Sequence, residues 1–149
     1  MEEHDFAAFP ELTNAQLETL RFQSPHEQIE EDFDAIVMKV VDGDTVHLRW
    51  DLRAFSFPLR LHDIDAPELS EGGSEARDWL TQRVLGKRVL IQIDKKNRVD
   101  KYGRLLGRVI ADGLDVAEEM IRSGLVRVFE KRHEGKIPPL EKTLGEAWA

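Results

Sequence analysis

The chain contains no cysteine. That absence excludes disulfide bonds, zinc–thiolate centres and cysteine nucleophiles. Its 149 residues also contain no internal repeat and no low-complexity segment. With 41% hydrophobic residues, a chain of this length has enough apolar side chains to form the core of one ordinary domain. We therefore expect a folded protein whose chemistry depends on oxygen and nitrogen groups.

Long hydrophobic runs are missing as well. The chain begins Met1-Glu2-Glu3-His4-Asp5, which is acidic and lacks the apolar region of a secretory signal. No apolar run is long enough to cross a bilayer. The default expectation is a soluble, cytoplasmic protein that does not contact membranes. A chain from which a signal peptide had been removed would look the same.

The net charge of −8 is distributed unevenly along the chain. Residues 1–34 contain ten acidic residues and one basic residue, a net charge of −9. The remaining residues contain 19 acids and 20 bases, a net charge of +1. The main part of the chain is therefore compatible with a polyanionic substrate, and the acidity belongs to a separable N-terminal part.

We divide the chain into an acidic, helical N-terminal extension (residues 1–33) and a main domain (residues 34–149). Thr13 to Gln16 matches a helix capping box, and Ser24 to Glu27 matches another with proline at the first helical position. The extension contains too many apolar residues for a purely disordered tail. We predict two short helices that pack on the main domain or on a protein partner. Covering an apolar patch and repelling nucleic acid by like charge are alternative roles.

From residue 34 onward the pattern predicts an α+β domain. Runs of β-branched or alternating residues, separated by turn residues, indicate five strands, and apolar residues at helical spacing indicate three helices. The order of these elements is the one that most readily closes a five-stranded OB-type β-barrel. The predicted strands are residues 35–41, 45–50, 57–64, 88–95 and 104–111, and the predicted helices are about residues 75–85, 115–124 and 138–148.

Three polar motifs lie at the ends of predicted strands. They are Val41-Asp42-Gly43-Asp44-Thr45, Arg60-Leu61-His62-Asp63-Ile64-Asp65-Ala66-Pro67-Glu68 and Asp100-Lys101-Tyr102-Gly103-Arg104. Hard oxygen ligands beside two guanidinium groups can hold a divalent metal against a phosphodiester. The motifs therefore predict a metal-dependent phosphodiesterase, and more specifically a nuclease.

These motifs, in this order and on consecutive predicted strands, resemble those of the staphylococcal nuclease family. The resemblance covers about residues 35–131. It implies an OB-fold, calcium as cofactor, and DNA and RNA as substrates. It also implies that Asp44 and Asp65 bind the metal through their carboxylates and Thr45 through its backbone carbonyl, with Asp42 close behind them.

The resemblance implies the catalytic groups too. Glu68 would orient or deprotonate the attacking water. Arg60 and Arg104 would bind the phosphate and neutralise charge in the transition state. The physical chemistry is consistent with these roles, because two guanidinium groups can each meet two phosphate oxygens in a way that lysine cannot.

Two further residues are candidates for substrate binding. Lys101 belongs to a basic stretch with Lys95, Lys96 and Arg98, which could hold the nucleic-acid backbone or equally be a solvated hairpin tip. Tyr102 could stack on or hydrogen-bond to the substrate, or equally fill the edge of the barrel.

We therefore expect a calcium-dependent, sugar-non-specific endonuclease that cleaves DNA and RNA and leaves 3′-phosphates. The alternative is a catalytically weak module of the same fold that binds nucleic acid or protein, with the acidic extension as its docking element. The enzyme is favoured because all five residues of the expected reaction centre are present: Asp44, Arg60, Asp65, Glu68 and Arg104.

Overall fold

The computed structural model of the chain describes residues 4–67 and 72–128. Their regular elements are α1 (Asn14–Leu20), a 3-10 turn (Arg21–Gln23), β1 (Phe33–Asp42), β2 (Thr45–Arg49), β3 (Phe57–Leu61), β4 (Ile64–Asp65), α2 (Gly73–Val84), β5 (Arg88–Ile93), β6 (Leu105–Ala111), β7 (Leu114–Asp115), α3 (Val116–Arg122) and β8 (Arg127–Val128). None of these helices is long and apolar enough to span a bilayer. The predicted helix at residues 138–148 lies outside the described residues.

Five of the strands close into a barrel. β1 pairs antiparallel with both β2 and β5, β2 pairs antiparallel with β3, and β5 pairs antiparallel with β6. A parallel pairing of β3 with β6 completes the ring. The predicted α+β class and OB-type barrel are thus confirmed. The ends of these five strands differ from the predicted ends by at most three residues.

Neighbouring strands of the barrel approach closely at Gly107. This residue pairs with Leu61 of β3 on one side and with Ile93 of β5 on the other. A Cβ atom here would lie 3.0 Å from the Gln92 carbonyl oxygen and 3.2 Å from a methyl group of Leu59. The close approach of neighbouring strands therefore favours glycine here.

Alternating side chains of the barrel strands form one apolar core. α2 packs against β1, and α3 packs against β6. Burying a Leu, Ile or Phe side chain of this kind contributes about 1.5–3 kcal/mol. The largest fully buried core side chains are Phe57, Ile29, Leu48, Leu59, Leu61, Ile64, Leu80, Ile91, Leu105, Met120 and Val37.

The N-terminal extension packs on the barrel. α1 begins at the predicted capping box, in which the Gln16 N–H donates to the Thr13 hydroxyl and the Thr13 N–H donates to the Gln16 side chain. The prediction of a second helix is wrong, since residues 24–32 form no helix. Ser24 Oγ instead accepts from the His26 N–H and donates to the His26 carbonyl, a local turn that competes with a helix.

A buried ion pair joins the extension to the loop between β2 and β3. Glu11 and Arg53 are each 3% exposed, and Arg53 Nη2 lies 3.1 Å from Glu11 Oε1. The same nitrogen donates to the Glu27 carbonyl at 3.0 Å. The guanidinium also lies 4.5 Å from the ring centroid of Phe57. Taking both charges out of water is compensated only while each has its partner.

Arg98 forms a second buried link to the extension. It is 3% exposed, and it donates from Nε to the Ile29 carbonyl at 2.7 Å and from Nη1 to the Leu12 carbonyl at 2.8 Å. Arg98 was predicted to lie either on a stretch that binds phosphates or at a solvated hairpin tip. Both predictions are wrong for this residue, because its side chain is buried against the extension. Its contacts across the fold were not visible in the local pattern of basic residues.

Breaking the Glu11–Arg53 pair should destabilise the fold. Glu11→Ala leaves a buried guanidinium without its partner, which typically costs about 3–5 kcal/mol. Replacing both residues, as Glu11→Leu with Arg53→Met, should recover much of this loss because no buried charge remains. Urea unfolding measures each free energy.

The exposed Arg21–Glu30 pair of the same extension supplies the control. Glu30→Ala should have only a small effect, because solvent screens both charges. Equal losses in Glu11→Ala and Glu30→Ala would contradict the stabilising role of the buried pair.

Candidate active site

A tight turn between β1 and β2 presents the first pair of carboxylates. The Asp44 N–H donates to Asp42 Oδ1 at 3.0 Å, and Asp42 pairs with Thr45 across the hairpin. Gly43 lies against α2 and the segment after β4: a Cβ atom there would be 2.6 Å from the Ala76 Cβ and 2.9 Å from the Ala66 Cβ. The Asp-Gly-Asp sequence therefore forms a turn with its own internal hydrogen bond, and its glycine packs closely against neighbouring segments.

The Asp44 carboxylate connects this turn to the strand that carries Asp65. Its Oδ2 accepts from the Ala66 N–H at 2.9 Å, and its Oδ1 accepts from the Thr45 hydroxyl at 3.0 Å. The backbone carbonyl of Asp44 also accepts from the Leu61 N–H at 2.7 Å. These bonds fix the buried Asp44 beside the end of β3.

Arg60 lies between two carboxylates. It pairs with Thr45 across β2 and β3, and its Nη1 donates to the Leu61 carbonyl at 2.8 Å. Its Nη2 lies 3.6 Å from Asp44 Oδ2 and 3.5 Å from Asp65 Oδ1. The Asp65 side chain is 61% exposed, whereas that of Arg60 is 11% exposed. Solvent therefore reaches this group from the Asp65 side.

The turn before β6 brings a second arginine, Arg104, to the edge of the barrel where Thr45 and Arg60 lie. Asp100 accepts from both the backbone N–H and the Nε of Arg104, at 2.9 and 2.8 Å. Arg104 Nη1 lies 3.5 Å from the Thr45 hydroxyl. Tyr102 is 63% exposed on this turn, and its ring centroid lies 5.2 Å from Lys101 Nζ and 5.4 Å from the Arg104 guanidinium carbon.

The carboxylates provide donors of the kind that a hard divalent cation prefers. Burial, followed by the hydrogen bonding and charge of Asp44, raises the pKa of the Asp42 carboxyl to about 6. A cation would offset this crowding of negative charge. Within residues 4–67 and 72–128, no three His, Cys, Asp or Glu side chains form a metal-binding group on their own. A bound calcium ion would thus also need backbone, water or substrate oxygens, which it readily accepts.

Most of the predicted site residues therefore lie at one edge of the barrel. Glu68, the predicted base, lies outside the described residues. Asp100 was named in the third polar motif but given no role, although an aspartate that opens a turn ending in Gly-Arg is a signal that could have indicated one. It acts on Arg104, whose direction it fixes through two hydrogen bonds.

Residues 58–148 match the family model described as staphylococcal nuclease homologue. The match begins within β3, so it includes Arg60, Asp65, Glu68 and Arg104. The turn that holds Asp42, Asp44 and Thr45 precedes the match. Pairing of β2 with β3 joins that turn to the matched part of the chain.

Relatives of the chain carry endonuclease names. An uncharacterized endonuclease of Escherichia coli O157:H7 is 34% identical over 111 residues, covering 73% of this chain and 69% of the relative. The probable endonuclease LCL3 of Komagataella phaffii is 37% identical over 95 residues, covering 56% and 40%. Endonuclease YhcR of Bacillus subtilis is 31% identical over 130 residues, covering 78% of this chain and 10% of that protein.

The close packing of Gly43 against α2 predicts that a larger residue in the β1–β2 turn lowers stability. Gly43→Ala should lower the free energy of unfolding by about 1–3 kcal/mol, the usual cost of overpacking. In an Ala76→Gly background the added methyl group has more room, so the same substitution should cost less. Urea unfolding of the four proteins gives this coupling. Equal costs in both backgrounds would show that contact with α2 does not constrain the turn.

Proposed function

Since the chain belongs to the staphylococcal nuclease homologue family, we propose that it is a calcium-dependent endonuclease that cleaves both DNA and RNA. Family membership and the endonuclease names of its relatives support nuclease activity. Calcium dependence and the absence of sugar selection are our proposals. The observation that carries calcium dependence is the meeting of two arginines and an array of carboxylates at one barrel edge, and the absence of sugar selection is proposed from the family resemblance.

Asp44 and Asp65 would hold the calcium ion through their carboxylates, and Thr45 through its backbone carbonyl. Asp42 would not bind the ion directly but would orient Asp44, whose backbone N–H donates to Asp42 Oδ1. The bound ion supplies Lewis acidity toward a phosphoryl oxygen and a position for water. Burial, and after it the neighbouring Asp44 carboxylate, raises the pKa of Asp42, and a cation bound beside it would favour the charged form of this carboxyl.

Arg60 and Arg104 would bind the phosphate oxygens and stabilise the negative charge that grows in the transition state. Both guanidinium groups are already oriented, Arg60 by the Leu61 carbonyl and Arg104 by Asp100. Preorganised donors of this kind need no rearrangement as the charge develops.

Glu68 would take a proton from the attacking water. The water oxygen would bond to phosphorus as the bond from phosphorus to the 5′ oxygen breaks, and the 5′ oxygen would take a proton from solvent, leaving a 3′-phosphate and a 5′-hydroxyl. Lys101 and Tyr102 would contact the substrate beside the reacting phosphate. Their exposure on the Arg104 turn supports that role.

Calcium should switch on cleavage, and chelation should abolish it. Millimolar calcium should allow the protein to cut single-stranded DNA and RNA, whereas magnesium should substitute poorly because it requires near-ideal octahedral geometry. Asp44→Asn should raise the calcium concentration needed for half-maximal cleavage. Gel assays of labelled strands across a calcium titration measure both effects.

Asp51→Asn, which changes an exposed aspartate away from the site, is the matched control for the calcium titration. It should leave the midpoint unchanged. Full activity in excess chelator would refute the metal assignment. Calcium-independent binding without cleavage would instead support the alternative, a nucleic-acid-binding module.

Substitutions of the catalytic groups should lower turnover without unfolding the protein. Glu68→Gln should reduce kcat by about 10²–10⁴-fold, the range for a positioned general base. Arg60→Lys should also be damaging although charge is kept, because the fork geometry is lost. Arg49→Lys on neighbouring β2 should have little effect and serves as control. A folded Glu68→Gln or Arg60→Lys protein with normal kcat would refute the corresponding role.

A further inference from the structure

The turn that carries Arg104 contacts the N-terminal extension. Phe9 packs directly on Gly103, since a Cβ atom at residue 103 would lie 2.8 Å from Phe9 Cδ1. Gly103 also has a φ of +85°, which a residue with a side chain adopts only with strain. Glycine at residue 103 therefore allows the positive φ of the turn and leaves room for the Phe9 ring. The ring of Phe9 thus limits the movement of the residue just before Arg104.

The chain segment that leads into the same turn is also attached to the extension. Arg98 donates to the Ile29 and Leu12 carbonyls, and Asn14 Nδ2 donates to the Lys95 carbonyl at 2.9 Å. The Arg98 carbonyl in turn accepts from the Leu106 N–H at 2.8 Å, on the far side of the turn. The extension therefore holds both the entry to the turn and its tip.

Moving this turn would move the Arg104 guanidinium. Asp100 orients Arg104 through its backbone N–H and its Nε, and the Gly103 N–H donates to the Asp100 carbonyl at 3.0 Å. These bonds link the Arg104 guanidinium to the backbone of the turn. A shift of 1 Å in a catalytic group can lower a rate by about 10²-fold, even when the altered contact is remote from the chemistry.

We propose that the N-terminal extension positions Arg104 for catalysis, by packing Phe9 on Gly103 and by holding Arg98. Phe9 and Arg98 are positioning residues, because they act through the turn. This inference rests on the proposed nuclease function and extends it to a segment outside the barrel. The extension then contributes to catalysis by positioning an active-site residue.

Kinetics of variants at two phenylalanines of the extension test the proposal. Phe9→Ala should lower kcat for cleavage of single-stranded DNA roughly 10-fold or more, through misplacement of Arg104. Phe9→Leu, which keeps an apolar side chain on Gly103, should restore most of the activity. Phe22→Ala is the matched control, since Phe22 is 97% exposed on the same extension, and its kcat should be unchanged. Assays are run where circular dichroism shows every variant fully folded.

A double-mutant cycle separates positioning of Arg104 from a general loss of structure. If Phe9 acts through Arg104, Phe9→Ala should lower kcat in the parent protein and have much less effect in the Arg104→Lys background. A merely structural contact would lower kcat by the same factor in both backgrounds, and that result would overturn the proposal.

A spectroscopic measurement decides the question independently of nuclease activity. Tyr102 is the only tyrosine of the chain, so 3-fluorotyrosine labelling gives a single ¹⁹F resonance from the Arg104 turn. Phe9→Ala should shift or broaden this resonance, and Phe22→Ala should leave it unchanged. An unaltered resonance in Phe9→Ala would overturn positioning by the extension. Absence of cleavage by the parent protein would refute the proposed nuclease, while the resonance still tests the contact.

Discussion

The parallel pairing of β3 with β6 is the constraint on which the site depends. Leu59 lies opposite Leu105 and Arg60 opposite Leu106, so the residue before β6 is brought beside β3. That residue is Arg104. Antiparallel pairing of β2 with β3 adds the Asp44 turn to the same edge. Motifs that are distant in sequence thus form one charged cluster because the barrel closes.

Local patterns in the sequence were sufficient to predict the barrel strands and the turns between them. Period-two alternation and turn residues are properties of short segments, and the order of elements pointed to the closed barrel. Contacts between distant segments were not accessible in this way. Arg98 looked like its basic neighbours but is buried beneath the extension, and Ser24 had a helix-start pattern but bonds its own turn. The role of Glu68 stays a prediction.

The acidity of the chain is partly neutralised within the fold. The extension supplies carboxylates to basic groups of the barrel, from Glu11 to Arg53 and from Glu31 to Lys95. Lys95 therefore already has an anionic neighbour in the stretch that was considered either as a nucleic-acid contact or as a solvated hairpin tip. Repulsion of nucleic acid by the extension stays a prediction.

The Glu11–Arg53 pair has a consequence for how such a protein can diverge. A descendant that replaced Glu11 but kept Arg53 would retain a buried guanidinium among aromatic rings without its carboxylate partner. A descendant that changed Arg53 first would instead leave Glu11 without its cation. Either order passes through a less stable intermediate, since a lone buried charge costs more than the intact pair. The two positions are therefore epistatic, and substitutions at Glu11 and Arg53 should occur together.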